Sequence, residues 1–254
     1  MSKINSYHSK QRGFTIVELM IALSVLSIIL IMSTVILIQI GKLYSKGVNA
    51  AYAQNTSRNI IADIGATLQF SGQPPFSCQQ STLTCAASST TVNAHGTNFT
   101  IYAYCINTMR YSYILNSELS DAPTTTQTYH VLWKDTMTSN SSCLPLDITQ
   151  STPVAVGAAL PSLLGSGSEL VPLHMRLTRL YVQPLDTINS VYGIDSWVAY
   201  GDDDLLNVSV TNGVGCSVGT GSSSCAGFTS CRGGAGAEFC ADSELSTIIT
   251  RRLE

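Results

Sequence analysis

Eight cysteines, Cys78, Cys85, Cys105, Cys143, Cys216, Cys225, Cys231 and Cys240, carry the most reactive side chains in the sequence. Such thiols either close disulfides or ligate zinc. Structural zinc sites draw on closely spaced cysteine pairs and histidines, but there is no C-x2-C pair here, and the histidines beyond residue 13 are His95, His130 and His174. An even number of cysteines, none of them within or before the long apolar stretch near the amino terminus, predicts disulfides formed in an oxidising compartment. Two C-x8-C units follow one another in "CSVGTGSSSCAGFTSCRGGAGAEFC". Sequential pairing, Cys216 with Cys225 and Cys231 with Cys240, is favoured over a nested arrangement, which sequence alone leaves open. Cys78 with Cys85 closes a local loop and leaves Cys105 with Cys143.

The run Asp202, Asp203 and Asp204 in "YGDDDLL", with Asp195 as a further ligand, invites a calcium reading, because hard cations take several converging carboxylate oxygens. The spacing is not that of an EF-hand loop, and three adjacent carboxylates cannot all face one ion, so a solvated acidic turn is the expectation and no metal is assigned. Catalysis is not expected either. There is no G-x-S-x-G, no H-E-x-x-H and no phosphate loop, and the serines lie in low-complexity tracts away from a base. Neither an enzymatic activity nor a cofactor is assigned, and the three histidines read as ordinary strand or loop residues.

The remaining chemistry is a single carboxylate in an unfavourable place. Glu18 lies inside "GFTIVELMIALSVLSIILIMSTVILIQI", where it is the only charge between Phe14 and Ile40. An ionised group near the centre of a bilayer costs about 2.5–3.5 kcal/mol on insertion scales and usually marks function. Glu18 therefore needs a partner.

The elements that position these groups follow from the apolar pattern. Phe14 to Ile40 is long enough as a helix to cross a hydrocarbon core of about 30 Å. Lys3, Lys10 and Arg12 precede it, with Lys42 and Lys46 after, which favours a cytoplasmic amino terminus. A secretory signal peptide has a shorter apolar core and a small-residue cleavage site, which "ILIQIGKLYSKG" does not offer. The proline-free stretch beyond Ile40 extends the helix to about Phe70, some 85 Å in all, with Leu43, Val48, Tyr52, Ile61, Ile64 and Leu68 on one face. Gly72, Pro74 and Pro75 end it.

The rest reads as strands and loops. Strands are expected over Asn98–Ile106, Arg110–Asn116, Thr128–Lys134, Leu173–Gln183, Ser196–Tyr200, Leu205–Val210 and Leu245–Leu253, from β-branched and aromatic residues in partial alternation. An antiparallel sheet packed on the extramembrane half of the helix makes an α+β head. Only 11% of the residues are charged, and beyond residue 13 ten basic groups face 16 acidic ones. That balance excludes broad nucleic-acid affinity, while leaving a local site around Arg176, Arg179, Arg251 and Arg252 as a candidate.

The stretch "RGFTIVELMIALSVLSIIL" resembles the amino-terminal signature of type IV prepilins and pseudopilins. The resemblance implies cleavage by a prepilin peptidase after Gly13, methylation of the new amino terminus at Phe14, and a Glu18 that meets the terminal ammonium of a neighbouring subunit in a filament. It implies a pilin fold divided into a leader (1–13), a transmembrane half-helix (14–40), an amphipathic stem (41–71) and an extracytoplasmic β-rich head (72–254). It also implies inner-membrane insertion followed by entry into a pilus, with other pilins as partners. Later phrases, "SRNIIADIGATLQFSG" and "LHMRLTRLYVQPLDTINSVYGIDSWVAYGDDDLL", are similar in texture to PilW-type minor pilins and J-type pseudopilins. Priming of a pilus or a type II secretion filament is the implied role, with adhesion or DNA uptake at a pilus tip as the alternative. Major pilins usually carry a proline within the membrane segment; this chain has Ser33-Thr34-Val35 there.

Overall fold

The computed structural model describes residues 13–75, 78–79, 84–85, 87–137, 143–156, 167–186, 190–202, 204–208, 229–234 and 236–252. The chain divides into two compact units, residues 1–44 and 45–254.

Helix α1 runs from Ile16 to Gln69 without a break. In the first unit every described residue from 13 to 44 is exposed, and the helix is long and apolar enough to cross a membrane. Its hydroxyls do not spoil that. Ser24 donates to the Ile21 carbonyl, and Ser27, Ser33 and Thr34 donate to the carbonyls of Leu23, Ile29 and Leu30, each at 2.8 Å. Each side chain thus finds its acceptor on its own helix, which removes most of the cost of placing a hydroxyl in hydrocarbon.

In the second unit the helix buries Ala53, Thr56, Ser57, Ile60, Ile61, Ile64, Gly65 and Leu68, the three- and four-residue spacing of one helical face. Leu43, Val48 and Tyr52, placed on that face by the sequence pattern, are exposed. The polar stretch around Thr56 and Ser57 is instead buried, and the Ser57 hydroxyl donates to the Ser243 carbonyl of β16 at 3.3 Å. The helix ends where Ser71 returns its hydroxyl to the Leu68 carbonyl and the Arg252 amide donates to the Gln69 carbonyl.

The strands are β1 (Cys78–Gln79), β2 (Thr84–Cys85), β3 (Ser88–Ala94), β4 (Thr97–Ile106), β5 (Met109–Ile114), β6 (Glu118–Leu119), β7 (Gln127–Thr128), β8 (Leu132–Thr136), β9 (Leu146–Asp147), β10 (Val154–Ala155), β11 (Ser168–Glu169), β12 (Met175–Asp186), β13 (Val191–Tyr200), β14 (Leu206–Val208), β15 (Thr229–Cys231) and β16 (Ala241–Thr250). The architecture is α+β, with most of the strands divided between two five-stranded sheets. The first has the order β11-β8-β5-β4-β3 and is antiparallel throughout; the second, β16-β13-β12-β6-β7, has one parallel pair, β6 with β7.

Three local features depart from the pattern read off the sequence. Strand β3, "SSTTVNA", was not among the expected strands; it pairs with β4 across a two-residue turn in which His95 and Gly96 both have positive φ, 49° and 79°, as a tight hairpin turn requires. The expected strand Thr128–Lys134 is broken, its ends going to different sheets. There the Thr128 hydroxyl donates to the His130 carbonyl, while the Glu169 carboxylate accepts from the amides of Val131 and Leu132. Strand β12 bulges between Leu177 and Arg179. Its core-facing residues change there from Met175 and Leu177 to Leu180 and Val182, so the extra residue, Thr178, keeps all four on one side. The Thr178 hydroxyl donates to the Trp197 carbonyl at 3.1 Å.

One core joins the helix face to Tyr104, Tyr111, Tyr113 and Leu132 of the first sheet and to Leu177, Val182, Ile194 and Val198 of the second. Burial pushes the Tyr104 phenol up to about 12. The opposite face of the first sheet carries Phe99, Ile101 and Ile114, covered by Leu146 and Ile148. That covering segment is tied down by the Cys105–Cys143 disulfide, Cα atoms 5.7 Å apart, and by the Arg110 guanidinium donating to the Leu144 carbonyl.

A polar stitch also crosses from the helix to the first sheet. Asp63 receives the Lys134 ammonium on both carboxylate oxygens, at 2.8 and 2.9 Å, and the Tyr111 hydroxyl at 2.7 Å. Burial above all, with the Asp63 carboxylate acting in the same sense, raises the Tyr111 pKa and keeps it a donor. Asp63→Ala leaves the Lys134 ammonium without this acceptor and the Tyr111 hydroxyl with Thr67 Oγ1, 2.7 Å away, and is expected to cost about 1–3 kcal/mol, measured by chemical denaturation of the full chain in detergent. Asp63→Asn, which can still accept from Tyr111, should cost less; a loss below about 0.5 kcal/mol for Asp63→Ala would class the stitch with ordinary surface pairs.

Candidate functional site

At the amino terminus, Gly13, Phe14 and Thr15 are non-helical and exposed, and the helix begins at Ile16. The sequence Thr15-Ile16-Val17-Glu18 has the spacing of a capping box, in which the N-cap hydroxyl and the side chain three residues on satisfy the first turn. The Glu18 amide donates to Thr15 Oγ1 at 3.3 Å, the Thr15 hydroxyl donates to Glu18 Oε2 at 3.4 Å, and the Leu19 amide donates to the Thr15 carbonyl at 3.1 Å. The carboxylate thus sits at the positive end of the helix dipole, which favours it. Among the described residues no lysine, arginine or histidine forms an ion pair with Glu18.

This capping role is absent from the sequence reading, although the T-x-x-E spacing signals it. It leaves the charge problem partly open. A long hydrogen bond to a neutral hydroxyl and a dipole contribute well under the cost of an ionised group in hydrocarbon.

The other candidate residues sort differently. The Arg176 guanidinium is 1% exposed and meets a Glu118 side chain that is 3% exposed, with Nη2 and Oε2 2.8 Å apart. Arg179 pairs with Asp195, and Arg251, buried, donates to the Ser190 hydroxyl. Only Arg252 is exposed, lying over the Phe70 ring. These four do not form a basic surface for a nucleic-acid backbone. Alternation with apolar residues along β12 concealed the partners of Arg176 and Arg179, which lie on neighbouring strands, whereas Arg251 and Arg252 follow β16 and meet Ser190 and Phe70.

The suggested calcium set also separates. Asp195 is buried on β13, its carboxylate taken by the Ser246 hydroxyl and Arg179, whereas Asp202 and Asp204 are exposed beyond that strand and Asp203 lies outside the described residues. Cys231 is bonded to Cys240, with Cα atoms 5.7 Å apart. Cys78 stands opposite Cys85 in the β1–β2 ladder; the side chains of that pair, and all of Cys216 and Cys225, lie outside the described residues. His95 is at the β3–β4 turn with Nε2 3.1 Å from the Thr149 carbonyl, and His130 is beside Glu169 and Trp133.

Residues 8–34, which span Gly13, Phe14, Thr15 and Glu18, match the prokaryotic N-terminal methylation motif. The match supports a type IV pilin-like protein, and the long apolar helix, the sheets and the disulfides fit an α+β pilin fold. No curated protein and no solved structure matches the chain.

If Thr15 caps the helix, Thr15→Val, which keeps the shape and removes the hydroxyl, should weaken the first turn by about 1 kcal/mol. Hydrogen exchange of the membrane-embedded chain should then show the Glu18 amide exchanging roughly fivefold faster, with amides beyond Ala22 unchanged. Unchanged exchange at Glu18 would show that the hydroxyl contact does not hold the helix start.

Proposed function

We propose that the chain is a minor pilin or pseudopilin, a structural and non-enzymatic subunit that enters or primes a membrane-assembled filament. In this reading prepilin peptidase cuts after Gly13, Phe14 is methylated, residues 14–40 hold the subunit in the inner membrane with the amino terminus cytoplasmic, and the head, residues 72–254, lies outside. Other pilins or pseudopilins are its partners. A pilus is favoured over a type II secretion filament because the head is large and its disulfide-closed loops suit an exposed position.

The observation that carries the reading is the conjunction at residues 13–18. An exposed, non-helical Gly13-Phe14 junction precedes a capped apolar helix, and Glu18 stands on that helix with no basic partner among the described residues. An exposed junction outside the helix is open to a peptidase. A carboxylate that the described residues do not neutralise can be neutralised by a newly made amino terminus on a neighbour, and a misaligned subunit would leave two buried charges unpaired. The pair therefore sets register as well as attraction.

Mass spectrometry of the protein from cells should show a chain beginning at methylated Phe14, and a bulky replacement of Gly13 should leave the leader attached. Filaments containing the uncut Met1 terminus would overturn the reading.

Glu18→Ala should leave membrane insertion intact or improved, since it removes a costly charge, and should leave cleavage after Gly13 in place. Entry into sheared filaments, or the number of filaments started, should fall at least tenfold. Glu18→Gln keeps the size and polarity but loses the ionic partner, and should fail in the same way. Wild-type amounts of both variants in membranes and filaments alike would make Glu18 a passenger.

A further inference from the structure

At one end of the second sheet three side chains with metal-binding chemistry converge from three stretches of chain. Glu118 opens β6, His174 immediately precedes β12, and Asp202 follows β13 by two residues. The ladder brings them together, because Arg176 of β12 pairs with Glu118 and Met175 pairs with Tyr200, the last residue of β13. Their ligand atoms all lie within 4.8 Å of one another.

We propose that Glu118, His174 and Asp202 form a binding site for a divalent transition metal of the zinc class. The proposal is independent of the filament reading.

The floor of the site is rigid. Glu118 is buried and its Oε2 is held by Arg176 Nη2 at 2.8 Å and by Gln127 Nε2 at 3.3 Å, which turns Oε1 toward His174 Nδ1, 3.1 Å away. A ligating carboxylate oriented by hydrogen bonds of its own is the arrangement metal sites use. The rim is open, since His174 and Asp202 are exposed. The backbone also commits conformations that few residues adopt. His174 has φ 62° and Gly201, next to Asp202, has φ 135°, and the Gly201 amide faces the His174 carbonyl at 3.5 Å.

Charge argues the same way. Arg176 offsets Glu118, so with a neutral imidazole the cluster keeps the negative charge of Asp202. A salt bridge from His174 to Glu118 accounts for two of the three groups, and among the described residues Asp202 makes no ion pair with a lysine or arginine.

The donor set selects the ion. Calcium takes six to eight oxygens and magnesium an octahedron of oxygens and waters, whereas one imidazole nitrogen and two carboxylate oxygens suit zinc at about 2.0–2.2 Å per bond. Tetrahedral bonds of that length put neighbouring donors roughly 3.3 Å apart, close to the separation of Nδ1 and Oε1. Asp202, on the loop, is the ligand that must close in. The fourth position faces solvent and is left to water.

The test uses the full chain in detergent, with disulfides intact, any free thiol alkylated and prior metal stripped by a chelator. Equilibrium dialysis against zinc, with calcium and magnesium in parallel, should give about one zinc per chain and no saturable calcium or magnesium. His174→Asn is a suitable variant because asparagine tolerates a positive φ, and Asp202→Asn changes only an exposed side chain; both keep the buried Glu118–Arg176 pair. Each should weaken zinc binding at least tenfold while unfolding at the wild-type denaturant concentration without metal. Added zinc should raise the melting temperature of the wild type and of neither variant. Absence of saturable zinc binding in the wild type, binding unchanged in both variants, or a preference for calcium would each overturn the proposal.

Discussion

Residues 45–254 depend on burial of one helix face, from Ala53 to Leu68. Each five-stranded sheet has an apolar side that must leave water, and the helix offers the surface that both share. The choice of side chains follows from that double task. Isoleucines and Leu68 fill the space between the sheets, whereas Ser57 and Gly65 sit where the helix approaches β16. At Gly65 the position a Cβ would take is already occupied by the Ile249 δ-methyl, so a larger residue there would make that methyl turn away.

Where the common core does not reach, covalent and ionic links take over. The far face of the first sheet is closed by a short segment that sets Leu146 and Ile148 against it, and the Cys105–Cys143 bond holds that segment in place. A small hydrophobic cluster around Leu206 and Ala199 is closed in the same way by Cys231 and Cys240. In the second sheet the β6–β12 contact is a single ladder pair, Glu118 with Arg176. Its two charges are almost wholly buried, so losing either one strands the other at a cost of about 3–5 kcal/mol. The pair is better understood as fixing where β6 sits than as a source of net stability.

Much of this was legible in the sequence and some of it could not be. The helix, its end before Gly72, and the long strands around Thr97–Ile106 and Met175–Asp186 declare themselves through apolar, β-branched and aromatic patterning, while of Val191–Tyr200 only the half from Ser196 was expected. The hairpin turn at His95-Gly96 had a signal, the glycine after a residue tolerant of positive φ, but the Ser- and Thr-rich strand before it resembles a loop in composition. The helix face was misjudged upstream of Ala53 because periodicity ranks large apolar residues above small polar ones, while close packing against a strand favours Thr56 and Ser57. Contacts far apart in sequence were invisible. Nothing near Asp63 announces Lys134, and nothing in "LHMRLTRL" announces that its first arginine faces a glutamate on another strand. The amino-terminal site was legible in its residue types, yet the Thr15–Glu18 cap went unread because attention to the charge obscured the spacing.

Glu118 and Glu18 show the same physics resolved in two ways. Both are carboxylates in surroundings that penalise charge, one inside the head and the other on an apolar helix. Glu118 has its answer within the chain: Arg176 on the adjacent strand, with Gln127 and His174 completing its hydrogen bonds. Among the described residues Glu18 has only a hydroxyl and a helix dipole. Evolution of an anchor alone would favour replacing such a residue, since an alanine there inserts more cheaply and its amide can still donate to the Thr15 hydroxyl. Under the filament reading the residue makes sense as half of an ion pair whose other half, a free amino group on Phe14, does not exist until the chain has been cut. The charge then keeps uncut chains out of the filament as well as aligning cut ones, because a subunit still carrying its leader brings no terminal ammonium to the membrane interior.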